Sequence, residues 1–457
     1  MKHRWLAAWL LVPLVAQAKV EITADTRLEL EMSIYNQNFA VIRDARSVAI
    51  GKGEAVLEFR DIPRTIVPQS VTLASDDARG FIAAQQNYRY DLLNRESLLE
   101  RYVGRKVKYS RMILEEDNTY EKLLREGILL SINPEIVKFG DVIEVEPEGT
   151  ISLPSIPADL RTTPTLVFQG ANGRDARQTL NLRYHAGGIG WEADYTLNLD
   201  RMTTLSGWLT VTNQTGSDFD VDGLQLIAGE VYRAAVPAVP GLVRGAAMEM
   251  MADAAMPPRS VAGDYHSYDI PGRVTLTKND MTQLRLIDAS GIRVEKSYRL
   301  VSNVNRYASE AAESQSPESV LTFANSVRNN LNVPLPAGTL RVYEAGQFIG
   351  ESRTQHKAAG EAIEVTLGRA FDVKVKRSQL NYRRIADRSV EIEYSIELTN
   401  AGEKPVTVIL EEKLSGDWDV VRESVNGRKA DARTLVFEPS VPAKGQSSLN
   451  YTVRMSW

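Results

Sequence analysis

Short runs that alternate between apolar and polar residues recur along the chain, and this period of two most limits what it can fold into. In LELEMSIY (28–35), Leu28, Leu30, Met32 and Ile34 fall on one face, with Glu29, Glu31 and Ser33 on the other. Such alternation is the mark of a β-strand with one face buried. EAVLEF (54–59) follows the turn Gly51-Lys52-Gly53, which reads as a hairpin. VEIEYSIELT (390–399), VTVILEE (406–412), TLVFEP (434–439) and SLNYTVRMSW (448–457) repeat the pattern. Turns such as NAGEKP (400–405) and PAKG (442–445) part them. The expected fold class is mainly all-β: several Ig-like antiparallel β-sandwich domains, a small β unit and one short helix. DLLNRESLLERYV (91–103) supplies the helix, with Leu92, Leu98, Leu99 and Tyr102 along one stripe.

The chain has no cysteine, so thiol catalysis, thiolate zinc sites and iron–sulfur clusters are excluded. Its sandwiches must be held by core packing without disulfides. The first residues read as a cleaved signal peptide: a basic start at Lys2, His3 and Arg4, an apolar run over 5–15, and Ala16-Gln17-Ala18. The run is too short for a transmembrane helix, and no later segment is long or apolar enough. An uncleaved anchor is the lesser reading. Cleavage removes Lys2 and Arg4 but no acid, so the formal charge of −5 becomes more negative. Mild, dispersed acidity argues against a nucleic-acid partner or a basic membrane-binding face.

Composition divides the chain as follows. A signal peptide (1–18) precedes an N-terminal β domain ending in the helix (19–103), then a small β unit and linker (104–165) closed by LPSIPADLRTTP (153–164). A central sandwich (166–300) carries the Ala-, Met- and Pro-rich stretch 234–263, read as a mobile loop. A second sandwich region (301–378) and a C-terminal Ig-like sandwich (379–457) complete the chain. VTNQTG (211–216) and LTNAG (398–402) echo one another, which suits residues that accept left-handed backbone in tight turns.

GIGWEADYTLNLD and LSGWLTVTNQTGSDFDVDGLQLIAGEVYR, within 188–233, resemble a bacterial exported family catalogued as domain of unknown function 4139. Further similar pieces are YNQNFAVIRDARSVAI (35–50), TQLRLIDASGIRVEKSY (282–298), LPAGTLRVYEAG (335–346), LGRAFDVKVKR (367–377) and EEKLSGDWDV (411–420). The resemblance spans nearly all of the chain after the signal, although no long heptad coil follows the first β unit. It implies a β-rich exported protein and no established reaction or catalytic residues.

Four places invite a chemical reading. YHAGGIGWEADY (184–195) gathers His185, a glycine cluster, Trp191, Glu192 and Asp194, and reads as a turn feeding a strand. Trp191, Ala193, Tyr195 and Leu197 should face the core there. In DFDVDG (218–223), Asp218, Asp220 and Asp222 with Gly223 fit the first half of a calcium loop. Gly229 stands where the closing glutamate belongs, so an acidic hairpin loop is the better reading. MEMMADAAM (248–256) clusters Met248, Met250, Met251 and Met256, soft ligands suited to Cu(I) or an adaptable contact surface. His185, His266 and His356 are far apart in sequence, and no HExxH, GxSxG, SxxK or phosphate loop occurs.

The sequence therefore favours an exported, periplasmic, non-enzymatic binding or scaffold protein of the cell envelope, with no cofactor and no assigned catalytic or metal residues. Its expected partner is an envelope protein or a surface polymer, met by exposed strand edges and the 234–263 loop. Two alternatives stand beside it: a carboxylate-dependent hydrolase of envelope glycans, and a calcium-dependent adhesion module. The last strand, ending at Trp457, would suit either a sandwich or an outer-membrane barrel.

Overall fold

Two-residue periodicity becomes strand after strand in the computed structural model of the protein. It describes residues 18–90, 93–114, 120–157, 160–161, 163–229, 231, 266–308 and 312–457. The all-β fold expected from the sequence is the fold observed, and among the described residues no helix is long and apolar enough to cross a membrane. The chain divides into two compact units. One comprises the chain up to Trp191 with Val211–Thr282, the other Glu192–Thr210 with Gln283–Trp457.

In the first unit, the hairpin Arg27–Tyr35 and Phe39–Ile50 shows how alternation builds a layer. Met32 pairs with Ile42 and Ile34 with Ala40, and all four are buried with Leu30. Leu28 departs from the expected face. The register slips between Arg27 and Glu29, and this bulge leaves Leu28 59% exposed.

The hairpin belongs to a six-stranded sheet ordered His266–Ile270, Gly223–Ala228, Arg27–Tyr35, Phe39–Ile50, Ala176–Gly187, Ile66–Ser75. Beside it lies a four-stranded sheet ordered Ala18–Ile22, Gly53–Phe59, Thr165–Asn172, Phe81–Arg89. Most neighbours are antiparallel; Ala18–Ile22 runs parallel to Gly53–Phe59, and Gly223–Ala228 parallel to Arg27–Tyr35. Arg46 of the larger sheet reaches the smaller one, its guanidinium 5.6 Å from the Phe59 ring centre.

The same unit holds a five-stranded sheet ordered Val142–Val145, Glu135–Phe139, Tyr120–Ile132, Lys106–Leu114, Thr150–Ser152. The helix expected over 91–103 is Arg95–Glu100. It starts at a capping box, in which Asn94 Oδ1 accepts from Ser97 N at 2.9 Å and Ser97 Oγ accepts from Asn94 N at 3.2 Å. Leu99 and Tyr102 pack on Val107, Tyr109, Leu129 and Val137 of the sheet.

The second unit contains a sandwich. Its first sheet runs Ala362–Arg369, Glu318–Ala324, Glu295–Asn303, Val406–Lys413, Thr434–Phe437, Arg428–Asp431, with Ser440–Val441 alongside Val406–Lys413. The second runs Glu313–Gln315, Val373–Ala386, Ser389–Asn400, Gly445–Ser456, Asp417–Glu423. Ile392, Tyr394 and Ile396 with Leu449, Tyr451 and Val453 meet Val408, Leu410, Leu435 and Phe437 in one core. The final strand is thus an inner strand of a five-stranded sheet in a sandwich, paired from Ser389 opposite Ser456 to Asn400 opposite Gly445.

The Thr-Asn echo has only part of the expected basis: Gly216 takes φ +81°, but the asparagines do not. Asn213 and Asn400 are not among the left-handed residues; both are buried and act through their side chains. Asn213 Oδ1 accepts from Thr215 N at 3.1 Å, and its Nδ2 donates to the Ser217 and Leu276 carbonyls at 2.9 and 3.0 Å. Asn400 repeats this, accepting from Gly402 N at 2.9 Å and donating to the Lys404 and Pro442 carbonyls at 2.8 and 3.1 Å. Each amide ties a strand end to its own turn and to a second segment. Asn400→Ala should lower stability in urea unfolding by about 2–3 kcal/mol, because buried partners lose their hydrogen bonds. Thr399→Ala, at the exposed neighbour, should stay within about 0.5 kcal/mol of wild type.

Candidate functional site

YHAGGIGWEADY is not only a turn and a strand: it spans the end of the strand Ala176–Gly187, a turn at Gly188, and the start of Ile189–Asn198. Gly188 takes φ +70°, and a side chain at Gly190 would stand 3.1 Å from Asn38 Cα. Along Ile189–Asn198, Trp191, Ala193, Tyr195 and Leu197 are buried. Trp191 Nε1 donates to the Ile34 carbonyl at 3.0 Å, and Tyr195 Oη to that of Pro336 at 2.8 Å. On the opposite face Glu192 is exposed, while Asp194 pairs with Arg341 at 3.0 Å and accepts from Thr210 Oγ1 at 3.2 Å. His185 is half-buried with its ring centre 6.4 Å from that of Phe39, and His266 is exposed at the start of His266–Ile270. His356 belongs to the other unit.

The acids of DFDVDG turn to separate partners. Asp218 Oδ1 accepts from Lys278 N at 2.8 Å, and Asp220 Oδ1 from Thr275 Oγ1 at 2.7 Å. Asp222 Oδ2 accepts from Leu30 N at 2.9 Å, and its Oδ1 lies 2.6 Å from Arg273 Nη2. Backbone and cation partners hold Asp218 and Asp222 below the usual carboxylate range. Among the described residues, no three His, Asp or Glu side chains are grouped to hold one ion. Met248, Met250, Met251, Met256 and the 234–263 stretch lie outside the described residues.

Three acids that attracted no attention in the sequence are buried. Asp44 and Arg46 occupy the core-facing phase of FAVIRDARSVAI and are 1% and 0% exposed. Arg46 Nη2 meets Asp44 Oδ2 at 2.7 Å, and Arg27 closes a two-point bridge to both Asp44 oxygens at 3.0 Å. Arg46 Nη1 donates onward to the Ile22 and Arg60 carbonyls at 3.2 and 3.0 Å. Burial would push the Asp44 carboxyl up, but the Arg46 and Arg27 guanidiniums outweigh it and hold the carboxyl below its ordinary value. Buried Glu58 stands among Lys19, Arg89 and Arg161 at 3.1, 3.5 and 3.6 Å.

In the second unit, Glu412 follows Val408 and Leu410 into the core and lies 3.0 Å from Arg377, which stacks 3.7 Å over Tyr394. Burial pushes the Glu412 carboxyl up. All three acids lie within ion-pair distance of a cation.

The exposed surface of the small sheet is the opposite anomaly. Its helix side is packed, yet the other face carries Leu124, Ile143 and Val145 at 64%, 59% and 61% exposure. Pairing sets Lys106 opposite Ile128, Ile128 opposite Lys138, and Lys138 opposite Ile143, a straight row across four strands. Met112 faces Lys122 nearby, and Lys108 pairs with Glu126 at 3.3 Å. Lys106, Lys108, Lys122 and Lys138 are all exposed. The doublets Leu123-Leu124 and Leu129-Leu130 were the signal: apolar residues in both phases of one strand make both faces sticky.

On the covered side, a cavity of about 330 Å³ lies between the helix and residues 151–156. Leu98, Leu99, Ile151, Leu153 and Ile156 line it, with Arg95 and Ser155 at its polar edge. Arg95 is paired with Glu135 at 2.7 Å, and the Ser155 carbonyl accepts from Tyr102 Oη at 2.7 Å. Its lining is mainly apolar.

Asp44→Asn should cost about 3–5 kcal/mol at neutral pH, because Arg46 stays buried without its anion. A carboxyl held low stabilises the fold above its ordinary value of 3.8, and the benefit disappears as pH falls through the lower folded value. The stability gap between wild type and variant in urea titrations should thus narrow only well into acid.

A scan against protein-family models matches none, and a search of curated proteins finds no match to this chain.

Proposed function

We propose that the chain is an exported, periplasmic protein of the cell envelope that binds or scaffolds rather than catalyses. Its docking surface is the open face of the sheet spanning 106–145. The observation that carries this reading is the row Lys106, Ile128, Lys138 and Ile143, which the chain leaves facing solvent. Leu124, Ile128, Ile143 and Val145 expose aliphatic surface on the same face, and exposed apolar patches mark interaction sites in soluble proteins. The resemblance to the exported family catalogued as domain of unknown function 4139, together with the signal-like residues 1–18, supports export. The cation pairs of Asp44, Glu58 and Glu412 favour a structural use of buried acids over glycan hydrolysis.

A photo-cross-linking residue at position 143, compared with one at the exposed turn residue Lys52, tests this in intact cells. Adducts to an envelope component are expected from position 143 and not from position 52. Equal yields from both, or none from position 143, would remove the docking role.

A further inference from the structure

We infer that the envelope component met by this face is an anionic lipid surface, an inference that rests on the docking role proposed above. On this sheet face aliphatic side chains and ammonium groups alternate, as in the row from Lys106 to Ile143. Aliphatic residues at this spacing can enter the boundary between headgroups and acyl chains. Lysine stems lie along the same apolar layer while their charges stay at phosphate level.

Charge points the same way. The whole chain carries −5, yet this face gathers Lys106, Lys108, Lys122 and Lys138 against Glu126, which Lys108 already pairs. A local cluster of opposite sign draws one face of an acidic protein toward an anionic leaflet. The sequence argued against a basic membrane-binding face because its charges are dispersed along the chain; folding collects these four on one side of one sheet.

Composition separates lipid from protein as the occupant. Protein interfaces are enriched in arginine and aromatic residues and depleted in lysine. Here the strand positions of the face hold four lysines and no arginine, and Tyr120 is their one aromatic residue.

The test is flotation of the full chain, as the cell processes it, with vesicles of phosphatidylglycerol and phosphatidylcholine in equal parts. Vesicles of phosphatidylcholine alone are the comparison. The protein should rise with the anionic vesicles, stay behind with the neutral ones, and be released by added salt. Lys106→Gln, Lys122→Gln and Lys138→Gln combined should weaken binding about a hundredfold, at about fivefold per lysine. Leu124→Ser with Ile143→Ser should weaken it at least about tenfold. All five positions are exposed, so circular dichroism and the unfolding midpoint should match wild type and confirm folded variants.

Equal flotation with neutral vesicles, or binding indifferent to the lysines, would overturn the inference. If neither vesicle carries the protein while position 143 still cross-links to an envelope protein, the lipid assignment falls and the docking surface stands. Failure of both flotation and cross-linking would overturn both.

Discussion

Packing between facing β-sheets is the constraint on which the rest depends, because a chain without cysteine has no covalent staple for its layers. The second unit shows the result most plainly: one core gathers Tyr394, Tyr451 and Met455 from one sheet with Leu410 and Phe437 from the other. Apolar packing is tolerant of small shifts, and polar groups placed inside it are not. Arg46 and Asp44 in one sandwich, and Glu412 with Arg377 in the other, restrict how the strands can be arranged. The amides of Asn213 and Asn400 do the same at strand ends, by satisfying buried carbonyls at fixed offsets.

Strands were legible because alternation is a local property. Ser389–Asn400 and Gly445–Ser456 follow directly from their patterns, and Val390, Ile392, Val453 and Met455 are buried as the phase requires. What escaped depends on pairing. The exposure of Leu28 arises from a register slip against the neighbouring strand, which the period inside LELEMSIY does not encode. The echo at Asn213 and Asn400 was visible, but its meaning lay in partners up to 63 residues away. Asp44 and Glu412 could have been found, since each sits in the buried phase of its strand, where an unpaired charge would be costly.

The site was less legible than the fold. Attention falls naturally on crowded reactive residues such as those of 184–195, yet Asp194 is held by Arg341 and Trp191 by a backbone carbonyl. The proposed docking face is built from ordinary lysines and aliphatics on separate strands, and sheet pairing alone brings Lys106, Ile128, Lys138 and Ile143 into line. Helix Arg95–Glu100 contributes by covering the other side of that sheet. The small sheet thus has one packed face and one that exposes aliphatic and lysine side chains.

A docking face of this kind is covered in the cell. The absence of native cysteine permits a direct measurement, with a single cysteine introduced as Ile143→Cys or, for comparison, Lys52→Cys. Labelling by a membrane-impermeant maleimide is followed in purified protein and in the periplasm of intact cells. Similar rates are expected at both positions in purified protein, with protection in cells confined to Ile143→Cys. Equal labelling at the two positions inside cells would contradict the docking role.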